Sequence, residues 1–299
     1  MNQQYYIGFD LGSSSIKVAI VDALTGENIL SIHEPKHEMS ILSEQSDWAE
    51  QDPNNWWKYL CEGTIRESKI DPSKIGAIGI SYQMHGLVVV DKEGHPLRNA
   101  IIWCDSRAVE IGNKAFQELS PERCSKSLLN SPANFTASKL KWVKDNEPEL
   151  YDKIHKFMLP GDFIAYKLTG DIVTTKNGLS EGIFWDYQSD TVADWLLDYF
   201  DFDARLVPNI VENFTPQGIV SKKASEETGL PEGIPITYRA GDQPNNALSL
   251  NVFNDGEVAA TGGTSGVIYA VSNNKTSKEA NRINHFAHVN YSKENPTIG

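Results

Sequence analysis

Cysteine is scarce, with Cys61, Cys104 and Cys124 the only three in 299 residues. They form no CxxC pair and one is always left over, which excludes a disulfide framework and a cysteine zinc site. No run reaches the ~18 apolar residues of a membrane span. Basic clusters are also missing, against a net charge of −13. A surface of this kind cannot neutralise phosphates, so neither nucleic acid nor an anionic membrane is an expected partner. The amino terminus has no basic segment ahead of an apolar one, so no secretory leader is expected and the protein is read as cytoplasmic. An anionic ligand would need local backbone donors or a cation. The run His33-Glu34-Pro35-Lys36-His37 fits H-E-x-x-H, but Pro35 breaks the helix that would put both histidines on one face.

What remains is an ordinary globular composition, 40% apolar and 22% charged, inconsistent with a disordered chain. At about 150 residues per domain, the length suggests two domains or one large one. Tyr5–Phe9 and 16–21 read as two strands of a hairpin around a Gly/Ser turn. Asp52-Pro53 caps a helix expected to reach about Glu67. Strands are expected over 75–82, 87–90 and 100–103, and helices near 107–119, 137–146 and 162–168, the last stopped by Gly170. Further on come a strand over 234–238, a helix over 245–250, and strands over 258–261 and 267–271. Strands alternating with helices indicate an α/β layered architecture, and the polar turns that follow strands are where such folds place ligands.

Four of those turns carry chemistry. In Gly8-Phe9-Asp10-Leu11-Gly12-Ser13-Ser14-Ser15, a carboxylate at a strand tip precedes small hydroxyl residues whose amides could cradle phosphate while Asp10 holds Mg²⁺. The same residues also suit a plain hairpin turn. Thr261-Gly262-Gly263-Thr264-Ser265-Gly266 repeats the pattern near the other end. Neither fits G-x-x-x-x-G-K-[ST], nor is the protein-kinase set present. Asp242, in Ala240-Gly241-Asp242-Gln243-Pro244, reads locally as a helix cap. Gln83-Met84-His85-Gly86 joins two β runs and could hydrogen-bond a polyol.

In order and spacing these pieces resemble the FGGY family of carbohydrate kinases, and within it the xylulokinase branch. The likeness extends through Trp48-Ala49-Glu50-Gln51-Asp52-Pro53, Trp103-Cys104-Asp105-Ser106-Arg107, Phe135-Thr136-Ala137-Ser138-Lys139-Leu140-Lys141-Trp142 and Leu159-Pro160-Gly161-Asp162. It implies a ribonuclease H-like (actin/hexokinase-type) α/β domain with a mixed sheet flanked by helices, followed by the start of a second similar lobe. Residues 1–251 would form the sugar-binding domain and 252–299 the beginning of a truncated ATP-binding domain. Relatives continue through a glycine-rich adenine motif, so this stretch is expected to be an N-terminal portion, inactive alone.

The resemblance further implies ATP-dependent phosphorylation of a ketose, D-xylulose to D-xylulose 5-phosphate, with ATP and Mg²⁺ as cofactors. Asp242 becomes the general base in place of a cap, and Asp10 the metal residue. Gly12, Ser13 and Ser14, with Gly263, Thr264 and Ser265, become the phosphate turns. Met84, His85, Trp103, Asp105 and Phe135 would line the sugar pocket, the Gln-Met-His triplet pointing to xylulose. Sugar and ATP are the implied partners and a homodimer the candidate assembly. Two other readings stay open: a family member acting on ribulose or a polyol, and a sugar-binding module without catalysis. Ser15 replaces a common glycine, and Gln243-Pro244 a common Asn-Ala.

Overall fold

The computed structural model describes residues 4–63, 70–262 and 266–299. Its centre is a five-stranded mixed sheet of β1 (Tyr5–Leu11), β2 (Ile16–Asp22), β3 (Asn28–Glu34), β4 (Ile75–Tyr82) and β5 (Ile236–Gly241), in the order β5-β4-β1-β2-β3. The first three strands are antiparallel neighbours, while β4 runs parallel to both β1 and β5. Alternation puts Ile7, Phe9 and Leu11 on one face with Ile16, Val18 and Ile20. That face packs on helix α1 (Pro53–Glu62), through Trp56 and Leu60, and on α4 (Pro160–Thr169), through Phe163 and Leu168, each buried apolar side chain stabilising by roughly 1.5–3 kcal/mol.

Local chemistry sets the helix ends. Asp52 accepts the amide of Asn54 with Pro53 in the first turn, and Gly170 stops α4 in the left-handed conformation at φ 87°, as its position predicts. A second core lies between α2 (Val109–Glu118), α3 (Thr136–Asn146) and α5 (Lys176–Glu181), with Phe157, Phe184 and Leu196 inside it. Two further helices are α6 (Lys222–Thr228) and α7 (Asp242–Ser249). After α7, strands Val258–Gly262 and Gly266–Ala270 pair antiparallel. Residues 286–299 then return to the body of the fold, Asn177 Nδ2 donating to the Ala287 carbonyl at 3.0 Å.

Several boundaries differ from expectation. The edge strand β3 has no counterpart in the sequence reading, because its largely exposed residues show little apolar alternation. Strand β5 starts later and runs to Gly241, where pairing with Tyr82 holds it. Helix α7 starts at Asp242, and Pro244 is tolerated because first-turn amides have no helical acceptor. The strand expected over 100–103 is only Ala100–Ile101, limited by its two-residue partner Glu50–Gln51. His33 and Glu34 lie in β3, so the H-E-x-x-H residues do not share a helical face. The tail of the helix expected to reach Glu67 falls partly outside the described residues.

Candidate active site

Register brings the chemistry together. Leu11 and Gly241 both pair with Tyr82, so the chain leaves β1, β4 and β5 at one sheet edge. The three exits carry Gly12-Ser13-Ser14, Gln83-Met84-His85 and Asp242. Asp10, Gly12, Ser13, Ser14, Trp103 and Asp242 accordingly line one pocket of about 480 Å³. This is the carboxyl edge of parallel strands, the usual ligand edge of open α/β sheets.

The turn after β1 closes through the Gly12 amide on the Ser15 carbonyl at 3.0 Å. A side chain at position 12 would put its Cβ 3.2 Å from that oxygen. The Ser13 carbonyl accepts from Gln51 Nε2 at 2.7 Å, and the Ser14 carbonyl accepts from the Met39 amide at 2.8 Å. Both oxygens are therefore engaged and do not repel an approaching anion. Asp10 is one-third exposed and lies 3.1 Å from Lys17 Nζ, its cross-strand partner. A partly exposed carboxylate beside a second one suits Mg²⁺, which takes one or two carboxylates and completes its shell with water and phosphate oxygens.

Asp242 is the first residue of α7. Gly241 occupies the cap position and no side-chain cap bond forms, which corrects the local cap reading. Burial, then the charge of Asp10, raises the Asp242 carboxyl to about 6. The helix N-terminus works in the opposite direction by favouring negative charge. The result is a carboxylate that is ionised at neutral pH yet more basic than an exposed one, as a proton acceptor requires.

The adjoining pocket, of about 530 Å³, is lined by Met84, His85, Gln243, Tyr269 and Phe286. The His85 ring meets the edge of Phe135 at 4.7 Å and lies 5.0 Å from Phe286. Its Nδ1 is 3.2 Å from the Glu181 carbonyl, which can only accept, so that nitrogen carries the proton. Burial, reinforced by Lys139, pulls the ring down to about 3. His85 is thus neutral and presents Nε2 as a hydrogen-bond acceptor.

With this geometry in place, the decisive comparison is with families. The model for the FGGY family of carbohydrate kinases, N-terminal domain, matches residues 5–249. The chain belongs to that family. It is 28% identical over 294 residues to the xylulose kinase of Staphylococcus xylosus, covering 95% of this chain and 58% of that protein. The xylulose kinase of Staphylococcus epidermidis is 30% identical over 293 residues, with 96% and 57% covered. Among solved structures, the xylulose kinase from Rhodospirillum rubrum superposes with a TM-score of 0.88 at 26% identity, covering 99% of this chain and 59% of that one. The fold is therefore the actin/hexokinase-type fold of these kinases, and the chain spans just under three fifths of the length of the relatives it matches.

Not every expected FGGY site residue faces the pockets. Asp105 is fully buried, and its carboxylate accepts from the Ala49 amide at 2.6 Å and from Arg107 Nη2 at 2.6 Å. It fixes the loop behind Trp103 and is not placed to hold a sugar hydroxyl, which corrects that expectation. Phe135 packs behind His85, while Trp103 is 54% exposed in the pocket beside the two aspartates. Gly263, Thr264 and Ser265 lie outside the described residues.

The structure also adds residues. Lys17, Asn245 and Asn246 line the pocket of Asp10 and Asp242. The hairpin register could have disclosed Lys17, and helical spacing from Asp242 the two asparagines. Glu181, buried beneath His85 and Gly241, carries no local signal. A Cβ on Gly241 would sit 2.7 Å from Glu181 Oε2 and 2.9 Å from Met84 Sδ, and would clash with Met84 Cγ.

Proposed function

We propose that this chain forms the sugar-binding and phosphate-turn portion of a kinase that transfers the γ-phosphoryl group of ATP to D-xylulose, giving D-xylulose 5-phosphate. The observation that carries the reading is the shared pocket of Asp10 and Asp242, with Asp242 raised to about 6. The likeness to xylulose kinases supports the choice of sugar. In this reading residues 1–251 form the sugar lobe and 252–299 begin the ATP lobe, and the protein works in the cytoplasm, where ATP is supplied.

The proposed mechanism begins with a ketose seated against Met84 and His85, His85 Nε2 accepting from a hydroxyl and Trp103 covering an apolar face. The attacking hydroxyl lies against Asp242, which accepts its proton as the oxygen bonds to phosphorus; a positioned base contributes about 10²–10⁴-fold. Lys17 and the amides of Gly12, Ser13 and Ser14 offset charge on the transferring group, interactions worth most where water is excluded. Mg²⁺, held through Asp10, would neutralise phosphate oxygens, a need made greater by the net charge of −13.

A coupled ADP-release assay of the complete kinase with a panel of ketoses and polyols tests the proposal. D-Xylulose should give the highest kcat/KM. Preference for ribulose or a polyol would reassign the substrate, and calorimetric sugar binding without ADP release would leave a binding module.

A further inference from the structure

His85 adopts a left-handed backbone conformation, φ 60°, which costs a non-glycine residue roughly 1–2 kcal/mol and persists only where its surroundings enforce it. Two buried ionisable side chains meet at this residue. Lys139, on α3, donates through Nζ to the His85 carbonyl at 2.9 Å and to the Ile102 carbonyl at 3.0 Å. Glu181, at the end of α5, accepts the His85 amide on Oε1 at 3.4 Å, while its own carbonyl holds the ring at Nδ1. Both side chains are almost wholly excluded from solvent.

Each residue also reaches a second part of the site. Through Ile102, Lys139 is tied to the residue before Trp103. Glu181 places its carboxyl against Gly241, next to Asp242. Burying an ammonium and a carboxyl is costly unless they are bonded, and apolar residues of similar size would fill the same space. What the polar groups provide is a set of fixed peptide planes.

We infer that Lys139 and Glu181 are positioning residues that clamp His85, one at its carbonyl and the other at its amide and ring, and thereby set the distance between the Met84-His85 wall and Trp103, determining ketose affinity. This rests on the proposed ketose site. The substrate is not touched by either residue; both act through His85. Burial draws Lys139 down to about 7 while Asp105 holds it up, so the clamp is supported by the same carboxylate that anchors the Trp103 loop.

The test is calorimetric titration of Lys139→Met, Glu181→Ala and Glu181→Gln with D-xylulose, beside thermal melts. A positioning role changes Kd at full stoichiometry, whereas a merely structural role lowers the binding fraction and leaves Kd alone. Lys139→Met and Glu181→Ala should each weaken binding about tenfold or more, equivalent to about 1.4 kcal/mol. Glu181→Gln, which keeps an oxygen for the His85 amide, should stay within about threefold. Unchanged Kd in the folded Met and Ala variants overturns the clamp. If Lys139→Met shows no cooperative melt, Glu181→Ala supplies the same comparison. Absence of binding by the unmodified protein would instead overturn the ketose site itself, a separate result.

Discussion

Asp10 and Asp242 leave the same edge of the sheet on strands separated by one intervening strand, and the charge of Asp10 helps hold the Asp242 carboxyl at about 6. Two residues 232 positions apart are coupled because β4 fixes the register of both neighbours. The proposed chemistry is a consequence of that register.

The pH dependence follows from the raised carboxyl. Asp242 must be ionised to accept a proton, so kcat/KM for the ketose should be flat above about pH 7 and fall tenfold per unit below about 6,. Ketose-dependent ADP release across pH 5–8 checks this; a profile flat to pH 5 would assign the proton acceptor elsewhere.

Stability should move in the opposite direction. The Asp242 carboxyl is raised on folding from its model-peptide value of 3.8 to about 6, so the folded state holds its proton more tightly and stability falls as pH rises through that window. Asp242→Asn should therefore stabilise the fold at pH 7.5 by on the order of 2 kcal/mol after allowance for partial exposure, seen as a higher melting temperature. At pH 4 or below the gain should shrink towards zero. Equal gains at both pH values would contradict the assignment.

Gly241→Ala tests the packing behind the base. The added methyl meets Met84 and Glu181, and overpacking of this kind costs about 1–3 kcal/mol. In the proposed reading Met84 belongs to the sugar wall, so D-xylulose Kd should rise along with the loss of stability in urea. Unchanged affinity would separate Gly241 from the sugar site.

The buried pair Asp162–Arg239, at 3.1 Å with both side chains about 1% exposed, ties α4 to β5 three residues before Asp242. Removing one partner by Arg239→Met leaves a buried acid, with an expected loss of about 3–5 kcal/mol in urea unfolding. Asp162→Asn should cost at least as much, because it leaves the buried Arg239 guanidinium without a counter-charge and unable to shed its proton, whereas the Asp162 carboxyl, already raised by burial, can neutralise itself.

Much of this arrangement was legible before the fold. Strand Ile75–Tyr82 and the hairpin around Gly12-Ser13 follow from β-rich runs between glycine turns, whereas Asp242 read locally as a cap and became a site candidate only through the family resemblance. Asp105 was carried over from the family resemblance, which gives motif position and not side-chain direction, and here its carboxylate turns inward to the Ala49 amide and Arg107. Glu181 and Lys139 were silent as site residues because their roles arise from helices packing over one loop. Edge strand Asn28–Glu34 was missed because only Leu30 and Ile32 mark its half-buried face and the adjacent Ile29 breaks the alternation.

The most direct test of the central claim is the ADP-release rate of the complete kinase carrying Asp242→Asn, at pH 7.5 with saturating D-xylulose and Mg·ATP, beside its calorimetric sugar affinity. The predicted result is a kcat at least about 10²-fold below the unmodified enzyme with D-xylulose Kd nearly unchanged. A kcat close to that of the unmodified enzyme would contradict the account.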